Sequence, residues 1–408
     1  MNTLAIQLKD EVKNELEHNI LTYWKDNITD TFTRGFYGRI SGDETLHTDA
    51  IRGAIMNARI LWTFANAYRI FGNAEDLKTA TSAKNEIIDR FYDNEYGGIY
   101  WSLTHDGIPC DTKKQIYAIA FAIYGLAEFY RATGDEQSLD YAIKLFHCIE
   151  GHSNDSVHGG YFEAFNRDWS PIEDMRLSDK DANESKTMNT HLHILEAYTC
   201  LYRVWKDPII KTRLSELIEI FISKILDQAG HLKLFFTEEW ECSYDIHSYG
   251  HDIEASWLLH EAAIVLEDND ILLRVESIVP KIAVAADEGL RSDGSMIYEK
   301  NNASGHIDSD RHWWVQAESV IGYFNLWEHF GDKKALEKSL ACWKYIKENL
   351  IDKDNGEWFW SIYSDGSINR KDDKAGFWKC PYHNGRMCME IVERLLKTPP
   401  SASQKSSL

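Results

Sequence analysis

Near-copies of one helix-to-helix turn recur along this chain, and a repeat of that kind limits the folds open to it more than any other feature. The phrases FGNAEDL (71–77), TGDEQSL (133–139) and FGDKKAL (330–336) each set a glycine after an apolar helical run and a short polar opening before the next. Gly72, Gly134 and Gly331 read as helix C-caps, where a left-handed backbone suits glycine. A second kind of connection also repeats. YDNEYGGIYWSLTHDG (92–107) and IDKDNGEWFWSIYSDG (351–366) share a glycine turn, an aromatic run of strand character and an Asp-Gly turn. Weaker versions are TRGFYGRI (33–40), VHGGYFEAF (157–165), GHLKLFFTEEW (230–240) and GSMIYEK (294–300), all suited to small β-hairpins.

Apolar spacing of three and four residues predicts helices near 4–24, 51–71, 75–92, 113–133, 136–151, 184–206, 208–228, 250–267, 270–287, 310–330, 333–350 and 381–397. The unit is therefore helix, tight turn, helix, hairpin loop, with a period of about 60 to 70 residues repeated roughly six times. Six helical hairpins can close on themselves as an (α/α)6 barrel or stack as an open solenoid. The hairpin loops all fall at one end, which favours the barrel. The fold expected is all-α, about twelve helices, with short β-hairpin loops at the active-site end. One catalytic domain is expected over 1–397, and the polar tail TPPSASQKSSL (398–408) reads as disordered.

Composition narrows the functional classes. Hydrophobic residues make up 44% of the 408, ample for a large core. No apolar run approaches the roughly 18 residues a membrane helix needs, and Met1 to Asp10 lacks the pattern of a secretory signal. A formal net charge of −21 argues against nucleic acid and anionic membranes as partners. Seven cysteines stand far apart with no CxxC pair, which fits reduced thiols in the cytoplasm. Cys148, Cys200 and Cys342 fall in helical patterns and read as small core residues.

One helix of each pair follows a long loop, and its opening turns carry unusual polar residues. Arg59 stands in MNARILW, Tyr117 in KQIYAIAFAIY, and Asn189 with His193 in KTMNTHLHILEAY. His251 and Glu254 stand in SYGHDIEASWL, Trp313, Trp314 and Glu318 in RHWWVQAESV, and His383 with Arg386 in WKCPYHNGRMCME. Recurrence at the same structural place in all six units predicts convergence on the barrel axis at one end, forming a pocket. Asn189/His193 and Trp314/Glu318 are i,i+4, while His251/Glu254 and His383/Arg386 are i,i+3, so each pair shares a helix face. A carboxylate one turn from a histidine can orient its ring and raise its pKa, which points to Glu254 acting on His251. His18, His47, His105, His152 and His329 lie in loops or on helix faces, where solvated side chains are the ordinary explanation. The spacing His247-x3-His251-x2-Glu254 mimics metal ligation, but the Ser248–Gly250 stretch puts His247 outside the helix. With no HExxH and no aspartate cluster, neither metal nor cofactor is expected. Glu254 and Glu318 could serve a glycosidase as its carboxylate pair, though so many histidines are foreign to that chemistry.

The same residues carry a resemblance. NARILW (57–62), YAIAFAIY (117–124), SKTMN (185–189), DIHSYGHDIEASWL (245–258), WWVQAE (313–318) and WKCPYHNGRMCME (378–390) resemble the N-acylglucosamine 2-epimerase superfamily, and within it the cellobiose 2-epimerases. These motifs span nearly the whole chain in the family's order. Departures are small: Asn57 and Ala58 precede the arginine where other small or polar residues are expected, and the tail is longer. The resemblance implies an (α/α)6 barrel and inversion of C2 of a reducing-end glucose or mannose unit in a β-1,4-linked disaccharide. It implies His251 and His383 as the two bases and His193 as the ring-opening or relay group. Arg59 would hold the enediolate oxygens, and Glu254 would orient His251. Tyr117, Asn189 and Glu318 would fix hydroxyls, with Trp314 and Trp378 stacking on the sugars, Trp313 as core or wall, and Arg386 beside the substrate. No metal, cofactor or ATP is implied, and the substrate is the small-molecule partner. A monomer is compatible with this, and the oligomeric state stays open. The alternatives are an aldose–ketose isomerase on free mannose or glucose, or an (α/α)6 glycoside hydrolase.

Overall fold

The computed structural model describes residues 2–33 and 35–397, so the tail expected to be disordered lies outside it. In chain order the helices are α1 (Thr3–Glu15), α2 (Leu21–Asn27), α3 (Ala54–Phe71), α4 (Ala74–Glu86), α5 (Ile116–Thr133), α6 (Glu136–His152) and α7 (Met188–Val204). There follow α8 (Pro208–Ile220), α9 (Tyr249–Leu266), α10 (Asn269–Ala286), α11 (Trp313–Phe330), α12 (Lys333–Tyr345) and α13 (Tyr382–Lys397). The helix expected over 4–24 is one rod in two pieces, because a π-helical turn at Leu16–Ile20 joins α1 to α2.

The tight turns form as their sequences require. Gly72, Gly134 and Gly331 end α3, α5 and α11 in the left-handed conformation, with φ of 72°, 75° and 70°. Asn73, Asp135 and Asp332 then cap the next helix through their side chains. Between α7 and α8 the same task falls to Asp207 as cap and Pro208 at the first helical position.

Six helices make an inner ring. Helix α3 packs on α5, α5 on α7, α7 on α9, α9 on α11, α11 on α13, and α13 back on α3. That last contact decides for a closed (α/α)6 barrel over an open solenoid. Every residue from Ala54 to Ala67, Ile116 to Phe129 and Trp313 to Leu326 is buried, as helices walled on all sides must be. Outside them α4, α6, α8, α10 and α12 each cover the inner helix they follow or precede by a tight turn, and α1 covers α13. The first and last of the described helices are therefore partners.

The expected hairpins are real, and a second kind of pairing joins neighbouring units. Ser102–Leu103 pairs with Arg52–Gly53, Ala164–Phe165 with Lys114–Gln115, Phe235–Phe236 with Lys186–Thr187, and Ser361–Ile362 with Arg311–His312. In each case the loop strand meets the two residues just ahead of an inner helix. This is why helices predicted from 51, 113, 184 and 310 begin at 54, 116, 188 and 313. Over two residues, strand and helix periodicity look alike.

Buried polar bonds seal the seam between first and last helices. Glu357, whose side chain is fully buried, accepts from Trp24 Nε1 at 2.9 Å, Lys379 Nζ at 2.7 Å and Asn384 Nδ2 at 2.8 Å. Trp358 Nε1 donates to Glu15 at 2.8 Å. Replacing Glu357 with alanine strands the Lys379 ammonium in the interior, and is expected to cost about 3–5 kcal/mol. Urea unfolding of Glu357→Ala checks this, and a loss below about 1 kcal/mol would show that the seam does not depend on the pair.

Candidate active site

Each inner helix begins at the loop end, and side chains from the first two turns of all six meet there around a cavity of about 420 Å³. Small-molecule sites commonly span about 300–1,000 Å³. Arg59, Tyr117, Asn189, His193, His251, Glu254, Trp313, Trp314, Trp378 and His383 all line it, as the sequence predicted. Arg386 and Glu318 do not. They lie beneath the floor with side chains fully buried, which removes them from direct contact with a substrate.

That floor is one connected network. Arg386 gives one Nη to Glu254 and Glu318, each at 2.6 Å, and the other to Glu196 and the Tyr382 hydroxyl. Tyr382 in turn donates to Glu196. Glu318 also accepts from Trp257 Nε1 at 3.0 Å. Burial, opposed by Arg386, pushes the carboxyls of Glu254 and Glu318 up, and their mutual repulsion adds to the rise at Glu254. Glu196, with burial outweighed by Arg386 and His193, is held down at about 2 and stays ionised.

All three histidines are fastened through the same ring nitrogen. His193 Nδ1 meets Glu196 at 2.9 Å, His383 Nδ1 meets Glu318 at 2.7 Å, and His251 Nδ1 meets the Ser248 hydroxyl at 2.7 Å. Among the described residues no protein group hydrogen-bonds the Nε2 of any of them, so each ring presents Nε2 from the cavity wall. A carboxylate on Nδ1 selects the tautomer whose free lone pair is on Nε2. Trp314 packs against both the His251 and His383 rings, with centroids at 4.8 and 5.6 Å.

Two expectations need correction. Glu254 does not orient His251: it is turned to Arg386, and Ser248 holds the imidazole. Nor are the ring pKa values raised. Burial lowers all three, that of His251 to about 3, because an imidazolium in this enclosure loses its hydration.

Arg59 packs its guanidinium over Phe121 at 4.2 Å and Tyr382 at 4.8 Å and gives Nη2 to the Tyr117 hydroxyl at 2.7 Å. Its Nε, Asn189 Oδ1 and Trp313 Nε1 have no hydrogen-bond partner. Trp313 is both core and wall, 4% exposed and packed on Trp360 at 4.6 Å. His247 lies in the strand Ile246–Ser248, outside the helix as expected.

Several contributors escaped the sequence reading. The wall also includes Tyr298, His312, Trp360 and the loop residues 177–181. Glu196 sits three residues after His193, the spacing that was weighed for His251 and Glu254, so the same rule could have found it. Ser248 occupies the N-cap position of α9, yet its hydroxyl serves His251 instead of the helix backbone. The loop 177–181 has no periodicity to mark it.

Comparison with known proteins agrees with this geometry. The profile of the N-acylglucosamine 2-epimerase (GlcNAc 2-epimerase) family matches residues 35–385. A cellobiose 2-epimerase of Bacteroides fragilis is 60% identical over 386 residues, covering 94% of this chain and 98% of that one. One from Ruminococcus albus is 40% identical over the same shares. The solved cellobiose 2-epimerase of Bacillus thermoamylovorans superposes with a TM-score of 0.91 at 41% identity, over 95% of this chain and 99% of its own. The matches, with the histidine-lined cavity, define an epimerase, an enzyme of the isomerase class. The chain belongs to the N-acylglucosamine 2-epimerase family.

Since burial lowers the pKa of His251, its ring stays neutral wherever pH exceeds that value. Histidine-ring NMR of the free enzyme is expected to show His251 unprotonated from pH 8 down to pH 5, while a solvated histidine titrates near about 6.5. A His251 midpoint above pH 6 would contradict the enclosure described here.

Proposed function

We propose that this enzyme inverts C2 of the reducing-end glucose or mannose unit of β-1,4-linked disaccharides such as cellobiose, by deprotonation and reprotonation between histidines. The observation that carries the reading is the set of three imidazoles, each pinned at Nδ1 and each offering Nε2 to one cavity. The substrate class rests on the relatives named for cellobiose, and the aromatic wall of Trp313, Trp314, Trp360 and Trp378 offers flat faces for more than one sugar ring.

The C2 proton becomes acidic only in the open aldehyde. His193, backed by ionised Glu196, takes the anomeric hydroxyl proton and passes it to the ring oxygen O5 as the C1–O5 bond breaks and the C1 aldehyde forms. One of His251 and His383 then removes the C2 proton, and the electron pair forms a cis-enediolate across C1 and C2. The other ring, protonated in that turnover, returns a proton to the opposite face. His383 has Glu318 behind it to support an imidazolium, whereas His251 has only a hydroxyl. Arg59 donates to the enediolate oxygens, a role worth roughly 3–4 kcal/mol of barrier. Six helix N-termini converge on the same space and favour its negative charge.

Hydrolysis is the weaker reading, because Glu318 lies under the floor and leaves Glu254 without its partner on the wall. An aldose–ketose isomerase would use the same enediolate but return the proton to C1. We place the reaction in the cytoplasm, on seven cysteines of which none is paired.

Proton NMR of the enzyme with cellobiose in heavy water distinguishes these outcomes. The C2 epimer carrying deuterium at C2 is expected; released glucose would mean hydrolysis, and a ketose product an isomerase. His251→Asn and His383→Asn should each lower kcat by roughly 10²–10⁴-fold. A change under about threefold in either would remove that histidine from the chemistry.

A further inference from the structure

Away from the cavity, four of the six units keep one rule; the unit leading to α11 has Arg291 in the aspartate's place, and the unit leading to α9 keeps the aspartate but loses its cation. In four units the loop after the outer helix opens with an aspartate whose Oδ1 accepts two backbone N–H groups: Asp30, Asp93, Asp155 and Asp352. The Oδ2 of each takes a buried cation, from Arg52, Lys114, Lys186 and Lys374 respectively. Arg52, Lys114 and Lys186 each stand two residues ahead of an inner helix.

In the unit leading to α9, Asp227 Oδ1 accepts the N–H groups of Gly230 and His231 in the same manner. The residue two ahead of α9 is His247, and among the described residues no lysine or arginine forms an ion pair with Asp227. His247 instead stacks on His231, centroids 3.6 Å apart. His231 is 2% exposed and its Nδ1 meets the fully buried Asp252 at 2.7 Å. His231 Nε2 and His247 Nδ1 both lack a hydrogen-bond partner. Glu288 brings a carboxylate oxygen to 3.6 Å from His231 Nε2, and one donor atom from each of the three residues lies within 4.8 Å of the others.

We propose that His231, His247 and Glu288 bind a divalent transition-metal ion, Zn²⁺ by preference, which takes the place held elsewhere by a lysine or arginine. Two imidazoles and a carboxylate are a zinc donor set, with water as a fourth ligand. Asp252 on Nδ1 of His231 supplies the carboxylate–histidine arrangement that leaves the lone pair on Nε2. Ligands on zinc at about 2.0–2.2 Å stand about 3.3 Å apart, so the triad contracts and the stacked rings splay until both lone pairs converge. Glu288, more than half exposed, and the partly exposed His247 have room for this. This set differs from the His247, His251, Glu254 spacing in the sequence, since His251 is engaged by Ser248. The ion would anchor the strand whose last residue, Ser248, holds His251.

Calorimetric titration of metal-stripped full-length protein with ZnCl₂ tests the site, with Co²⁺ absorption reporting its geometry. One ion with tetrahedral Co²⁺ bands is expected. Kd should weaken at least about tenfold in Glu288→Gln and binding should vanish in His247→Ala, while His251→Ala leaves it unchanged. His247→Lys should keep the thermal stability of the loaded wild type with no response to Zn²⁺. No uptake would overturn the proposal, as would uptake unaltered by both His247→Ala and Glu288→Gln. Uptake abolished by His251→Ala would place the ion in the cavity instead, and a Tm that follows pH with no Zn²⁺ bound would assign the role to a proton.

Discussion

A single guanidinium holds this barrel and its chemistry together. Arg386 of α13 reaches Glu196 on α7, Glu254 on α9 and Glu318 on α11, so one side chain ties four of the six inner helices. A buried charge is tolerable only when partners replace its water. Here the partners outnumber it, and the excess negative charge is relieved at Glu254, whose carboxyl burial and Glu318 push up. Two of the three glutamates also grip a histidine. The interaction that spaces the helices is thus the one that aims the imidazoles, and neither can be altered alone.

Above that layer the division of labour is clear. Helices supply the reactive nitrogens, and short strands that other loops complete tie down the starts of α7 and α9. Loops supply the shape of the mouth: residues 177–181, Tyr298, Trp360 and Trp378 all stand outside inner helices. Chemistry common to a family can rest on the former, while variation in the accepted sugar is open to the latter.

Much of this was legible in the sequence, and the exceptions have physical causes. Repeated turns and helical periodicity suffice for the barrel, because a repeat unit cannot bury its apolar face alone. Ten of the twelve proposed site residues face the cavity, all but Trp378 because like positions in like units converge. Glu318 and Arg386 share the residue types and spacings of their neighbours, and only depth separates wall from floor. Depth along a barrel axis is a tertiary quantity, set by which turn of the helix clears the ring. Spacing also misled at His251, where a glutamate one turn away had a stronger claim on it from a guanidinium 132 positions along the chain.

The pairing of α1 with α13 has a consequence for the order of events in synthesis. Helix α1, with Ala5, Leu8 and Val12 buried, is made well before α13, the neighbour it packs on. Its apolar face therefore waits, uncovered, while all the units between the two helices are made. Units in the middle can consolidate as they appear, but the ring cannot shut until the ribosome has released α13. A chain interrupted before α13 is left with an exposed stripe at each side of the gap, on α1 and α3 and on α11.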